Sequence, residues 1–307
     1  MPKLLIERSL TIPAPLEQVY ALVRDFQHWP EWSPWLIAEP EAKTAFAADG
    51  RSYTWNGEVT GSGRMELIEE DDKRSINYRL TITKPWKSKS DVRFVFSPEG
   101  TGTRVLWRMD GTLPFFMFFL KGMMESLVGM DYDRGLNMLS DLASLGRVPS
   151  HLEFMPDQKY SGCQYIGLKR STTIKEMPNQ MEADFKRLFQ CTEDSKLTPT
   201  APPFSIYSKW KLSKGLVEYT VGLPLEQLPA SMPDNLISGK LPACKAYAVR
   251  HTGPYRHLGN AWSAGMLHGR AKVFSASKAC FPFEVYDTQA DHEPESEIQT
   301  TIYFPAR

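Results

Sequence analysis

Apolar and polar positions alternate in the first residues of the chain. LLIERSLTI (4–12) has the period of two that predicts a strand, and Pro13 and Pro15 punctuate its end. In APLEQVYALVRDFQHWPEW (14–32) the period changes. Leu16, Val19, Tyr20 and Val23 recur at helical spacing, which predicts a helix that closes at Pro30. Four strand-like stretches follow: SYTWNGEVTGSGRMELIEED (52–71), SINYRLTIT (75–83), SDVRFVFSPEG (90–100) and GTRVLWRMDGTL (102–113). Turn signals at Asp71 and Asp72, at Pro85 and across Pro98 to Gly102 separate them, which is the pattern of an antiparallel meander. After Pro114 a long helix is predicted, with Leu127, Met130, Leu136, Leu139 and Leu142 as its apolar residues and Gly146 as its stop. RVPSHLEFMPDQKY (147–160) reads as a linker.

The second half repeats an order of elements. GCQYIGLKRSTTI is a strand, PNQMEADFKRLFQC an amphipathic helix, and FSIYSKW with LVEYTVGLPL a strand pair. The order then recurs as ACKAYAVRHTG, YRHLGNAWSAGMLHGRAK, and FPFEVYD with EIQTTIYFP. Two successive β-α-β-β units predict a pseudo-symmetric domain with a groove where the units meet, and such seams are common ligand sites.

A chain of 307 residues fits two domains of roughly 150 residues each. Its charge is balanced, with 36 basic and 36 acidic residues; residues 1–150 hold 18 and 20 of them. Neither half has the basic excess of a nucleic-acid platform. Four cysteines, Cys163, Cys191, Cys244 and Cys280, are far apart in sequence and form no CxxC pair, so buried free thiols are expected rather than zinc or a redox dithiol. MPKLLIERSLTIPAP lacks the basic leader and apolar core of a secretory signal, which points to a cytoplasmic protein. The apolar run Leu113 to Met124 is broken by Lys121 and is shorter than the roughly 20 residues of a bilayer span. It reads as a buried helix start, with an interfacial lip at Phe115 to Phe119 as the alternative.

Strand, short helix, meander and long last helix, with IPAPLEQVYALVRDFQHWPEWSPW as the most specific segment, resemble the START-like helix-grip superfamily, also labelled SRPBCC or polyketide cyclase. The resemblance implies an antiparallel sheet gripping the long helix, with room between them for a hydrophobic ligand. Trp32, Trp35, Trp55, Tyr78, Trp86 and Trp107 would line such a cavity or simply form the core. No Ser/His/Asp or Cys/His arrangement points to catalysis here.

The segments VRHTGPYRHLGNAW, FPFEVYD and EIQTTIYFP resemble, in that order, the GyrI-like effector-binding domain of AraC- and MerR-type regulators. The expected fold is therefore α+β: a helix-grip domain over residues 1–148, a linker over 149–157, and a duplicated effector-binding domain over 158–307. The resemblance implies binding of small lipophilic, often cationic molecules and assigns the central acid to Glu284. Alternation along a strand puts Tyr286 and Pro282 on the face of Glu284, with Phe283 and Val285 on the other. Tyr255 and Trp262 match the motif as aromatic walls; Tyr207 and Trp210 are further walls or plain core. Gly253 and Pro254 read as a strand-to-helix turn. His251 and His257 flank it without a third ligand, so no metal is expected, and no cofactor is implied. The acidic run ADHEPESE (290–297) reads as a solvated loop.

The expected function is binding or sequestration of a lipophilic, cationic small molecule without a DNA-binding domain, a nucleic-acid partner or stable membrane insertion. The alternative is a hydrolase that opens strained electrophilic rings of toxic natural products. Glu284 would then be the general acid/base, with Tyr255 and Trp262 orienting the substrate. A third reading is a delivery protein whose helix-grip domain carries a lipid-like ligand. The sequence leaves the oligomeric state open.

Overall fold

In the computed structural model, which describes residues 3–113, 115–229, 232, 236–278, 280–288 and 293–307, the chain divides into two compact units, Met1–Pro149 and Ser150–Arg307. The first begins with β1 (Lys3–Ile12), α1 (Leu16–Arg24) and α2 (Trp29–Trp32). The meander is β2 (Lys43–Phe46), β3 (Ser52–Asn56), β4 (Ser62–Asp71), β5 (Ser75–Lys84), β6 (Ser88–Glu99) and β7 (Gly102–Thr112). It forms one antiparallel sheet in the order β1-β7-β6-β5-β4-β3-β2, and α3 (Lys121–Leu145) runs along it. Gly146, at φ 72°, takes the left-handed conformation that ends α3.

The alternating pattern turns one face of this sheet to the helix. Val92, Phe94 and Phe96 of β6 and Val105, Trp107 and Met109 of β7 are buried together with Tyr132, Leu136 and Leu139 of α3. Trp107 stacks on Tyr132 with ring centroids 3.8 Å apart, and Phe94 lies 4.9 Å from Trp107. The approach is close enough to require a glycine on the helix, because a Cβ at Gly135 would stand 2.7 Å from the Trp107 ring. Trp32, Tyr78 and Trp107 are thus core residues, and Trp35 and Trp55 pack partly buried against them. Trp86 belongs to neither cavity nor core: it lies between β5 and β6 and is 57% exposed.

Two local expectations need correction. The first helix stops at Arg24, where Asp25 turns extended and its side chain accepts from the Gln27 amide. Pro30 then occupies the first turn of α2, where its missing N–H leaves no bond unmade. The run before α3 is not a buried helix start, since Phe118 and Phe119 are 60% and 69% exposed in a short 3-10 segment. Pro114 and the side chains of residues 115–117 lie outside the described residues.

The second unit contains β8 (His151–Tyr160), β9 (Cys163–Thr173), α4 (Met177–Asp194), β10 (Phe204–Lys211) and β11 (Leu216–Leu225). The same order returns as β12 (Ile237–Leu241), β13 (Cys244–Thr252), α5 (Gly259–Arg270), β14 (Phe283–Tyr286) and β15 (Gln299–Pro305). All eight strands form one sheet, β12-β9-β11-β10-β14-β15-β13-β8. Each repeat therefore has a leading strand beyond the expected β-α-β-β, and the two repeats exchange these strands. β8 pairs with β13 of the second repeat, and β12 pairs with β9 of the first. α4 packs on β9 and β11, and α5 on β13 and β15. Asp184 anchors α4 to its strands: it is buried, paired with Arg170 through a 2.6 Å bond from Nε, and accepts from the Tyr219 hydroxyl at 2.8 Å.

The expected linker over 149–157 is thus largely strand, because β13 satisfies the backbone of β8 from His151 onward. A fragment starting at Ser150 is expected to fold, whereas one starting at Ser161 leaves the β13 edge unpaired and apolar Leu152 and Phe154 missing from the α5 side. Circular dichroism and a urea melt of the two fragments check this. Equal midpoints for both would show that β8 contributes nothing.

Candidate functional site

The two repeats meet where β10 pairs antiparallel with β14, in the register Phe204↔Val285, Ser205↔Glu284 and Ile206↔Phe283. Alternation sends Phe204, Phe283 and Val285 to one face, where they form an apolar cluster with Tyr165 and Leu241. Ser205, Tyr207, Glu284 and Tyr286 point to the other face, toward α4 and α5.

Glu284 is 1% exposed at the floor of this seam. Its Oε1 accepts from the hydroxyls of Tyr207 and Tyr286, each at 2.5 Å, and its Oε2 from the Trp262 indole Nε1 at 2.8 Å. All three donors are neutral, and Glu284 forms no ion pair among the described residues. Burial pushes its carboxyl above the usual range, opposed by the hydrogen bonds from Tyr207, Tyr286 and Trp262. Burial also raises both phenols, and the Glu284 charge beside them adds to the effect, so they remain donors.

Aromatic rings surround the carboxylate. Trp262 stands edge-on to Tyr207 at 5.0 Å, Trp210 stacks on Tyr207 at 5.3 Å, and Phe185 and Tyr255 meet Tyr286 edge-on at 5.2 and 6.0 Å. Trp210 and Tyr255 are 39% and 42% exposed, which puts them at the rim rather than in contact with the acid. Tyr207 and Trp210 are three residues apart, a spacing that sends side chains to opposite faces of a regular strand. A bulge between Tyr207 and Lys209 restores Trp210 to the face of Tyr207.

The structure thus gathers Glu284, Tyr286, Tyr207 and Trp262 by direct hydrogen bonds, with Trp210 and Tyr255 around them. Sequence reasoning missed Met181, Phe185 and Ser205. The Tyr286 hydroxyl lies 3.2 Å from Met181 Sδ and 3.0 Å from Ser205 Oγ. The alignment of PFSIYS (203–208) with PFEVYD (282–287) is the signal that would have found Ser205.

Other candidates take structural places. Gly253, at φ 139°, and Pro254 turn β13 into a short 3-10 segment, Tyr255–His257. His251 is buried, with Nε2 3.1 Å from Ser150 Oγ; burial, followed by the charges of His257 and His151, lowers its pKa to about 4 and keeps it neutral. Among the described residues no group of three His, Cys, Asp or Glu side chains is placed to hold a metal ion. All four cysteines are free and half-buried rather than fully buried. Residues 289–292, which include the start of the acidic run, lie outside the described residues. No described helix is long and apolar enough to cross a membrane.

Comparison with known proteins finds one family match in each unit. Residues 3–144 match the family described as Polyketide cyclase / dehydrase and lipid transport, and residues 161–307 match the GyrI-like small molecule binding domain. Among solved structures, EcmrR in an EcmrR–DNA complex is 17% identical, covering 60% of this chain and 68% of that one, with a TM-score of 0.44. The EcmrR C-terminal domain is 20% identical, covering 52% of this chain and 96% of that one, with a TM-score of 0.39. A START superfamily protein from Mycobacterium smegmatis is 19% identical, covering 46% of this chain and 98% of that one, with a TM-score of 0.34. No curated protein matches the chain.

Proposed function

We propose that this chain, a START-like helix-grip domain followed by a GyrI-like small-molecule-binding domain, binds or sequesters a lipophilic cation in the groove above Glu284. The observation that carries the reading is a fully buried carboxylate that has three neutral donors and, among the described residues, no cationic partner. Burying an unpaired charge is costly, and a cationic ligand offsets that cost on arrival. Each aromatic face it meets adds roughly 0.5–2 kcal/mol of cation–π attraction in a site that is partly dry. The proposal includes no nucleic-acid partner, since charge is balanced in both halves, and it takes the cytoplasm as the setting.

The hydrolase alternative uses the same acid less well. Tyr207 and Tyr286 fill Oε1 and Trp262 takes one position on Oε2, which leaves a water a single acceptor position on this carboxylate.

Titration with tetraphenylphosphonium, read by quenching of indole fluorescence, tests the proposal against neutral triphenylphosphine oxide. Saturable binding of the cation, at least ten-fold tighter than that of the oxide, is expected. Equal affinities, or no binding of the cation, would reject the reading.

A further inference from the structure

The strand registers of the first unit bring separate stretches of chain to one end of its sheet. Ile82 pairs with Ser88 across the turn between β5 and β6, Asp91 of β6 pairs with Asp110 of β7, and Lys3 of β1 pairs with Thr112 of β7. The turn at 85–87, the start of β1 and the end of β7 therefore lie at the same end. From Thr112 the chain enters the 3-10 segment Phe115–Leu120 and then the first turn of α3, so both of these begin there as well.

This end is apolar and basic at once. Trp86 of the β5–β6 turn, Phe118 and Phe119 of the 3-10 segment, and Met123 of α3 are exposed. Lys84, Lys87 and Lys89, on either side of Trp86, are exposed too and form no ion pair among the described residues. Lys3 adds a fourth exposed lysine. Most acids at this end are already engaged. Glu125 pairs with Lys121, Asp91 with Arg79, and Asp110 with Arg108. Glu39 accepts from the amides of Glu58, Val59 and Thr60 in the β3–β4 turn, where Glu58 itself is exposed; Glu41 and Lys43 lie beyond, at the β2 edge.

Large apolar side chains gathered in water mark a contact surface, and the residue types here indicate which kind. The indole of tryptophan suits the boundary between hydrocarbon and water, and lysine stems lie along apolar surface while their ammonium groups stay among headgroups. The stretch 84–89 holds three lysines and no arginine, so its charge matches a diffuse anionic surface rather than one phosphate gripped by a guanidinium fork.

We propose that this end of the helix-grip sheet docks peripherally on an anionic lipid bilayer. Trp86, Phe118 and Phe119 enter the interfacial layer, and Lys84, Lys87 and Lys89 lie over the headgroups. No described helix crosses the bilayer, and the docking is independent of what the second unit binds.

Sedimentation of the full chain with vesicles of phosphatidylcholine, with and without about one-third phosphatidylserine, tests the proposal. Partition onto the anionic vesicles is expected to be at least ten-fold stronger, and to fall at least ten-fold in about 0.5 M salt. Replacing Lys84, Lys87 and Lys89 together by glutamine is expected to cost at least ten-fold, and Phe118→Ser with Phe119→Ser at least three-fold; circular dichroism establishes that both variants are folded. A second readout does not depend on losing binding. Lipids brominated near the headgroup should quench part of the indole fluorescence of the bound protein, and Trp86→Phe should remove that quenched part. Equal partition onto neutral and anionic vesicles, no binding to anionic vesicles, undiminished binding of the folded variants, or quenching unchanged in Trp86→Phe would overturn the proposal. Retention on heparin or an acidic peptide without vesicle binding would overturn it as well, by giving the lysines to a different polyanion.

Discussion

Glu284→Gln is expected to weaken tetraphenylphosphonium binding by roughly 5- to 150-fold, about 1–3 kcal/mol, while the affinity for triphenylphosphine oxide stays within about two-fold. The amide keeps the size of the side chain and one oxygen acceptor, so Tyr207, Tyr286 and Trp262 keep most of their packing. What disappears is the charge. A wild-type pH series should show the same dependence. Burial holds the Glu284 carboxyl above the ordinary range, so acidification neutralises it earlier than an exposed glutamate. Cation affinity should therefore fall as pH drops through that raised value, and Glu284→Gln should remove this dependence. Calorimetric titration across pH checks both; an unchanged cation affinity in the variant would leave Glu284 as a structural hydrogen-bond acceptor.

Trp107→Ala is expected to destabilise the N-terminal unit by about 3–5 kcal/mol, the usual cost of removing a large aromatic side chain from a packed interior. Trp107 is 1% exposed, stacks on Tyr132 of the long helix, and touches Phe94, Trp32 and Trp35. Its loss opens a gap between sheet and helix, and Gly135, with no side chain, cannot fill it. Urea melts of the fragment Met1–Pro149 with and without the substitution measure the difference. A cost below about 1 kcal/mol would mean that the aromatic layer is loosely packed and holds room for a guest.

The order of elements was legible because each carries its own period. Leu16, Val19, Tyr20 and Val23 mark α1, and the duplicated strand-helix-strand-strand order marks the second unit. The leading strands were not legible. β8 contains Met155, Pro156 and Asp157 and lies at the edge of the sheet, where proline is tolerated; β12 is only five residues with a glycine in its centre. Their partners are about ninety and seventy residues away in sequence, beyond the reach of any local pattern. In the site, Glu284 was conspicuous as an acid among aromatics. Ser205 and Met181 are ordinary residues by type, and only the register that places 205 opposite 284 gives them a part. Trp210 needed the bulge in β10 to join its neighbours, and a bulge has no composition of its own.

The exchange of outer strands makes the repeats of the second unit topologically interlocked. Neither half, cut out as a contiguous segment, contains the strand that completes its own edge. A protein made of one repeat would have to associate with a copy of itself, lending its first strand and borrowing another, and its two copies would meet across a true two-fold axis. Both central positions would then carry the same residue. Joining the repeats in one chain frees those two positions to differ, so a serine and a glutamate can face each other where a homodimer admits only serine with serine or acid with acid.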